Sequence, residues 1–142
     1  MSTRSRIGVM HGDKLKSVYC HWDGYLSNNG KILQEHYDSA KANRLVSLGS
    51  LSSLKAEIGE KHDFDALTDS CTFYGRDRGE SDVDFTVDQS YAEFLDKEYD
   101  CEYYYIMRDG VWYVGVAYEA EDNMVPGQLY VLSEQLTKVE AE

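Results

Sequence analysis

Cys101-Glu102-Tyr103-Tyr104-Tyr105-Ile106-Met107 and Val111-Trp112-Tyr113-Val114-Gly115-Val116-Ala117-Tyr118, joined by Arg108-Asp109-Gly110, read as one β-hairpin. Aromatic and β-branched side chains suit a pleated, half-buried surface, and Asp-Gly carries the chemistry of a tight hairpin turn. The hairpin sets an antiparallel sheet at the centre of the fold. Its tyrosines either pack the core or leave one sheet face aromatic and wet, a common make-up for a recognition surface.

Working outward, Arg4 to Met10 and Leu15 to Trp22 predict a second hairpin around His11-Gly12-Asp13. Strand alternation puts Val18, Cys20 and Trp22 on one face and Tyr19 and His21 on the other. Lys31 to Tyr37 suits a short helix after the turn residues Ser27 to Gly30. A second helix follows, with Ser39 as its cap, Ala42, Leu45 and Val46 as its apolar stripe and Gly49 as its stop. Leu51 and Leu54 then fold back. Glu57 to Ser70 shows no period and predicts a mobile surface loop anchored by Phe64 and Leu67.

Cys71 to Tyr74 predicts a strand entering a Gly75 to Gly79 turn. Asp82 to Val87 predicts another, with Val83, Phe85 and Val87 facing inward. Asp88 is placed to cap a helix running to about Glu98. Gln128 to Leu132 reads as an edge strand after the acidic loop Glu119 to Asn123, and Ser133 as the cap of a terminal helix. Residues 1–142 are thus expected to form a single acidic α+β domain: a mostly antiparallel sheet of about five or six strands, with two to four short helices on one side.

Composition narrows the function classes. A chain of 142 residues with 12 Tyr and 42% hydrophobic residues can build one core. No run approaches the roughly 18 to 20 apolar residues of a bilayer span, and Met1 to Arg6 lacks a signal peptide's apolar stretch, so a cytoplasmic protein without membrane contact is expected. Cys20, Cys71 and Cys101 are odd in number and outside any CxxC pair, which predicts reduced, buried thiols and neither a disulfide framework nor a metal site.

The net charge of −12 is unevenly spread: Met1 to Ala56 carries eight Lys and Arg against four Asp and Glu, and the remainder carries six against 22. Such a segment repels nucleic-acid backbones and steers toward basic surfaces. The plainer alternative is that these side chains only keep the protein soluble. The surface expected to carry the charge holds Asp82, Asp84, Asp100, Glu102, Glu119, Glu121 and Asp122.

Two polar runs stand apart, Tyr19-Cys20-His21-Trp22-Asp23-Gly24-Tyr25 and Tyr74-Gly75-Arg76-Asp77-Arg78-Gly79-Glu80. They give the candidate ligand or partner contacts His21, Trp22, Asp23, Tyr25, Tyr74, Arg76, Asp77, Arg78 and Glu80. Cys20 and His21 are strand neighbours on opposite faces, so they cannot form a nucleophile pair alone. Arg76 and Arg78 either grip a phosphate or carboxylate, or pair internally with Asp77, Glu80, Asp82 or Asp84. Asp63, Asp65 and Asp69 lack the Gly and closing Glu of a calcium loop, and no signature of nucleotide hydrolysis, zinc proteolysis or serine catalysis occurs. No catalytic residue, cofactor or metal follows from the sequence, and a binding protein is favoured over an enzyme.

At these runs, and at the opening Arg4-Ser5-Arg6-Ile7, the chain resembles a group of small proteins encoded by tailed bacteriophages and prophages, over most of its length. The resemblance brings no activity with it. What it implies is a phage accessory protein that adjusts or blocks machinery in the bacterial cytoplasm. The leading expectation is a counter-defence protein that engages a basic surface of a host or defence protein, in its strongest form by nucleic-acid mimicry. The alternative is a protein that sequesters a nucleotide-like small molecule through Arg76, Arg78 and His21. A nucleotide-processing enzyme is the third reading.

Overall fold

A computed structural model describes residues 3–119 and 121–140, so Ala120 of the predicted acidic loop lies outside the described residues. The aromatic hairpin forms, with shorter strands than expected and with Arg108 in the first strand rather than in the turn. β6 (Tyr103–Arg108) and β7 (Val111–Val116) pair in register around Asp109 and Gly110, whose φ values of 50° and 79° are those of a tight two-residue turn. The N-terminal hairpin forms likewise from β1 (Ser5–His11) and β2 (Lys14–Cys20).

Among the described residues there are eight strands in one sheet and five α-helices, so the chain is a single α+β domain. The remaining strands are β3 (Leu51–Ser53), β4 (Thr72–Phe73), β5 (Thr86–Asp88) and β8 (Tyr130–Val131), and the strand order is β4-β3-β2-β1-β6-β7-β8, with β5 beside β2. Most pairings are antiparallel, but β1 pairs with β6 and β2 with β3 in parallel. The N-terminal strand therefore sits in mid-sheet.

The two sheet faces bury different things. Ile7, Val9, Val18, Cys20, Tyr105 and Val114 belong to the main core, which α1 (Lys31–His36), α2 (Ser39–Ser47) and α5 (Leu132–Glu140) cover with Leu33, Leu45, Val46 and Leu132. The opposite face carries a smaller core of Leu15, Tyr104, Ile106 and Cys101 under Phe94 of α4 (Tyr91–Asp96). Helices thus cover both faces, because alternation along β6 sends Tyr104 and Ile106 away from the main core and α4 must shield them.

Several local expectations give way to neighbours with better geometry. The cap of α2 is Asp38, whose carboxylate accepts the Lys41 amide at 2.9 Å, while Ser39 is already helical. Ser90, not Asp88, caps α4 by accepting the Glu93 amide at 3.1 Å. Ser133 lies inside α5, which starts at Leu132. On β5, Thr86 and Asp88 face the sheet while Phe85 and Val87 are exposed and Val83 is half-buried, so the predicted inward set is reversed. The inner side of this strand meets Arg6 and Tyr99, which reward hydrogen bonds rather than apolar contact. Leu67 is fully exposed and anchors nothing; Ile58 enters the main core, and Phe64 rests against Tyr74 with ring centroids 5.6 Å apart. The predicted Gly75 to Gly79 turn is a helical turn, α3 (Tyr74–Arg78), closed by Gly79 in the left-handed conformation.

Candidate functional site

The first polar run is the end of β2 and the turn that follows it. His21 and Trp22 donate their amides to Leu51 and Ser52 carbonyls at 3.1 and 3.0 Å, which extends the β2–β3 pairing beyond Cys20. Asp23 takes a φ of 56°, and the Gly24 amide then donates to Thr3 O at 2.7 Å. A Cβ on Gly24 would come 2.7 Å from Ser5 Cβ, so only glycine fits under the N-terminal strand. The Gly24 carbonyl in turn accepts the buried Tyr105 hydroxyl at 2.5 Å.

Asn29, in the π-helical turn Leu26–Gly30, is fully buried behind this loop, and its Nδ2 reaches Ser5 Oγ at 3.2 Å and Cys20 Sγ at 3.5 Å. Asn29 is one of the predicted turn residues Ser27 to Gly30, and nothing in that stretch marks its buried contacts. Burial pushes the Cys20 thiol up to about 12, which leaves it protonated and a poor nucleophile. The side chains that the turn presents outward are His21, Trp22, Asp23 and Tyr25. His21 Nδ1 lies 2.6 Å from the Tyr19 hydroxyl, and the Trp22 ring meets the imidazole edge-on.

The second polar run turns its most prominent cation inward. Arg76 Nε and Nη2 donate to Asp77, Nη2 also to Cys71 O, and Nη1 to the Ile58 and Gly59 carbonyls at 3.0 and 2.9 Å. All five guanidinium donors are used. The Asp77 side chain has no exposed surface and also accepts the Phe73 and His62 amides at 2.8 and 3.1 Å. Burial opposes its ionisation, but Arg76 and the two amides outweigh that and hold its carboxyl below the usual range.

This knot fastens residues 58 to 71 to the sheet edge, and His62 completes it. Its ring nitrogens lie 2.8 Å from Asp63 O and 3.1 Å from Cys71 O, an arrangement that only an imidazolium can satisfy with two donors. Those carbonyls, with Asp77 nearby, raise its pKa. No sequence signal marks His62, because its acceptors are backbone atoms. Arg78 pairs with Glu80 and lies over the Phe64 and Tyr74 rings, 4.4 and 5.2 Å from their centroids.

The two runs flank β3 but their charged groups do not converge. Tyr19 and Tyr74 do meet, in that the Tyr19 amide donates to Ser50 Oγ and the Tyr74 amide to Ser50 O. Yet the hydrogen bonds of His21, Arg76 and Arg78 go to three separate sets of partners.

The acidic candidates fall into two groups. Asp100, Glu102, Glu119, Glu121 and Asp122 lie in the segments that flank the open end of the β6–β7 hairpin, and Glu102, Glu121 and Asp122 stand near Tyr103, whose hydroxyl donates to Asp122 at 2.9 Å. Arg4 pairs with Asp100 at 2.7 Å and with Glu102 at 2.9 Å. Burial raises the Glu102 carboxyl, but the Arg4 guanidinium and amide outweigh it and leave the pKa lowered. Glu119, Glu121 and Asp122 are exposed and make no ion pair among the described residues. Asp82 and Asp84, equally exposed and without an ion pair among the described residues, stand with Glu80 at a cleft lined by Arg6, Tyr19 and Tyr74. Among the described residues no helix is long and apolar enough to cross a membrane.

No family model, curated protein or solved structure matches the chain. The site must therefore be read from its own chemistry.

Proposed function

We propose that this chain is a phage accessory protein of the counter-defence kind, which binds and blocks a host or defence protein through its acidic surface. The observation that carries the reading is the carboxylate group at the open end of the β6–β7 hairpin, where Arg4 pairs with Asp100 and Glu102 and leaves Glu119, Glu121 and Asp122 unneutralised. Such a patch attracts a basic surface and occupies positions that phosphates otherwise take. Beside it, between α4 and the sheet, lies a cleft of about 490 Å³ lined by Phe94, Leu95, Tyr104, Ala117 and Pro126, with Glu98 and Tyr118 also in its wall. An apolar anchor next to a charged rim is the usual layout of an energetic interface. The nucleotide-sequestering alternative draws nothing from Arg76, whose donors are all engaged by its own chain.

The test is capture of a bacterial partner at low and high salt with the wild-type chain and with Glu119→Gln/Glu121→Gln. Capture is expected to fall steeply with salt, since exposed charges are screened over about 8 to 10 Å at physiological ionic strength, and to weaken in the double variant. For the mimicry form, added DNA or RNA displaces the protein from its partner. Capture indifferent to both salt and substitution overturns the proposal.

A further inference from the structure

Arg6 is a cation held almost entirely out of solvent. It stands on β1 directly opposite Tyr19 of β2 and Tyr104 of β6, on the sheet face away from the main core, and is only 8% exposed. Nε donates to Ser17 Oγ at 3.1 Å, Nη2 donates to Ser17 O at 3.1 Å and Thr86 Oγ1 at 2.9 Å, and the guanidinium lies 3.9 Å from the Tyr99 ring centroid. Every one of these partners is neutral. Arg6 makes no ion pair among the described residues, and its Nη1 has no hydrogen-bond partner there. Asp88, whose carboxylate acts on Arg6, is committed to Lys97 at 2.8 Å and to the Tyr99 hydroxyl at 2.9 Å. Burying a cation without a counter-ion carries a desolvation cost, and burial lowers the Arg6 pKa accordingly.

Arg6 also lines a cleft of about 300 Å³ with Tyr19, Tyr74, Glu80, Asp82 and Asp84. The loop wall is fixed, because the Ser50 amide donates to Val83 O at 2.8 Å and the Glu80 amide to Tyr74 O at 3.1 Å. Glu80 is held by Arg78, whereas Asp82 and Asp84 pair with no cation among the described residues. The cleft therefore combines a guanidinium whose Nη1 has no protein partner and still reaches solvent, two tyrosine rings and two carboxylates that pair with no cation among the described residues. That pattern is wrong for a phosphate, which the aspartates repel. It matches a molecule with a negative group at one end and a positive group at the other.

We propose that this cleft binds an amino carboxylate of the basic amino-acid type, its carboxylate on Arg6 Nη1, its aliphatic chain along Tyr19 and Tyr74, and its distal cation at Asp82 and Asp84. The same chemistry is offered by free lysine or arginine and by the C-terminal residue of a polypeptide. The site is independent of the partner-blocking surface, so either can fail without the other.

Titration followed by backbone amide NMR tests it, with L-lysine, L-arginine, acetate, butylamine, inorganic phosphate, and Gly-Gly-Lys with free or amidated C-terminus as probes. The expected result is saturable binding of lysine or arginine with shifts at Tyr19, Asp84 and Thr86, and binding of acetate or butylamine about tenfold or more weaker, since each keeps one end only. Free Gly-Gly-Lys tighter than lysine assigns the site to a chain end; lysine tighter than the peptide assigns it to the free amino acid. Arg6→Gln removes binding. Asp82→Asn/Asp84→Asn, at exposed positions that leave the fold intact, weakens lysine by about tenfold. The proposal is overturned by phosphate binding as tightly as lysine, by lysine binding that the Asp82/Asp84 variant leaves unchanged, or by no saturable shift up to about 10 mM of any probe.

Discussion

Arg76 and Asp77, adjacent in sequence, form a two-point ion pair, Nε to Oδ1 at 3.0 Å and Nη2 to Oδ2 at 3.2 Å, with the carboxylate wholly buried. Removing one partner strands the other away from water. Asp77→Asn is expected to cost about 3 kcal/mol of stability, because the guanidinium and two backbone amides lose their charged acceptor. Arg76→Lys keeps a cation but not the planar fork, and loses less. Urea unfolding of the two variants measures this, and an Asp77→Asn protein within roughly 0.5 kcal/mol of wild type would remove the structural assignment.

His62 and the paired acids give stability opposite pH slopes. The folded pKa of His62 is raised above its ordinary 6.5, so its contribution is complete below about that pH and is lost as pH rises through the folded value. Asp77 and Glu102 are lowered from 3.8 and 4.5, so theirs is present above those values and disappears as pH falls through the folded ones. Urea midpoints across pH should therefore decline on both flanks. The alkaline decline starting near pH 6.5 should vanish in His62→Gln, and its persistence there would assign it to another group.

Gly24 tests whether the first polar run is a structural turn. A methyl group at this position meets Ser5 Cβ at 2.7 Å and Thr3 O at 2.9 Å, so Gly24→Ala should destabilise by about 1 to 3 kcal/mol through overpacking. Trp22→Ala, at a side chain nearly half exposed, should cost less than Gly24→Ala. Thermal melts that rank them in the reverse order would contradict the turn described above.

The thiols should be inert in the native protein. Cys20, Cys71 and Cys101 are buried, and burial pushes Cys20 and Cys101 up to about 12 and raises Cys71 as well. Alkylation at about pH 8 should label none of them in buffer and all three in urea, counted by intact mass. Rapid native labelling of Cys20 would reopen a nucleophilic role for it.

The hairpins were legible because turn chemistry and alternation are local: Asp109-Gly110 closes β6 on β7, and Gly12, with a φ of 64°, closes β1 on β2. The α+β class followed from them. What local pattern could not carry were the parallel pairings, since nothing near Arg6 announces Tyr104 as its neighbour. The inward side of β5 was misread because its environment is polar, with Thr86 and Asp88 serving Arg6 and Tyr99. At the site, the residue types were visible and their partners were not. Arg76 and Asp77 stood out in the sequence, whereas His62 and Asn29 act through backbone and buried atoms that no spacing reveals.

β1 has consequences for how the molecule is made. It is synthesised well before β6, so one of its long edges is completed only when β6 arrives, and Arg4 waits for Glu102, 98 positions downstream. Until then the nascent chain exposes an open ladder of amides and carbonyls beside Ile7 and Val9, the kind of template that invites pairing with another copy. A chaperone that covers this edge until β6 is made is expected to suppress such pairing.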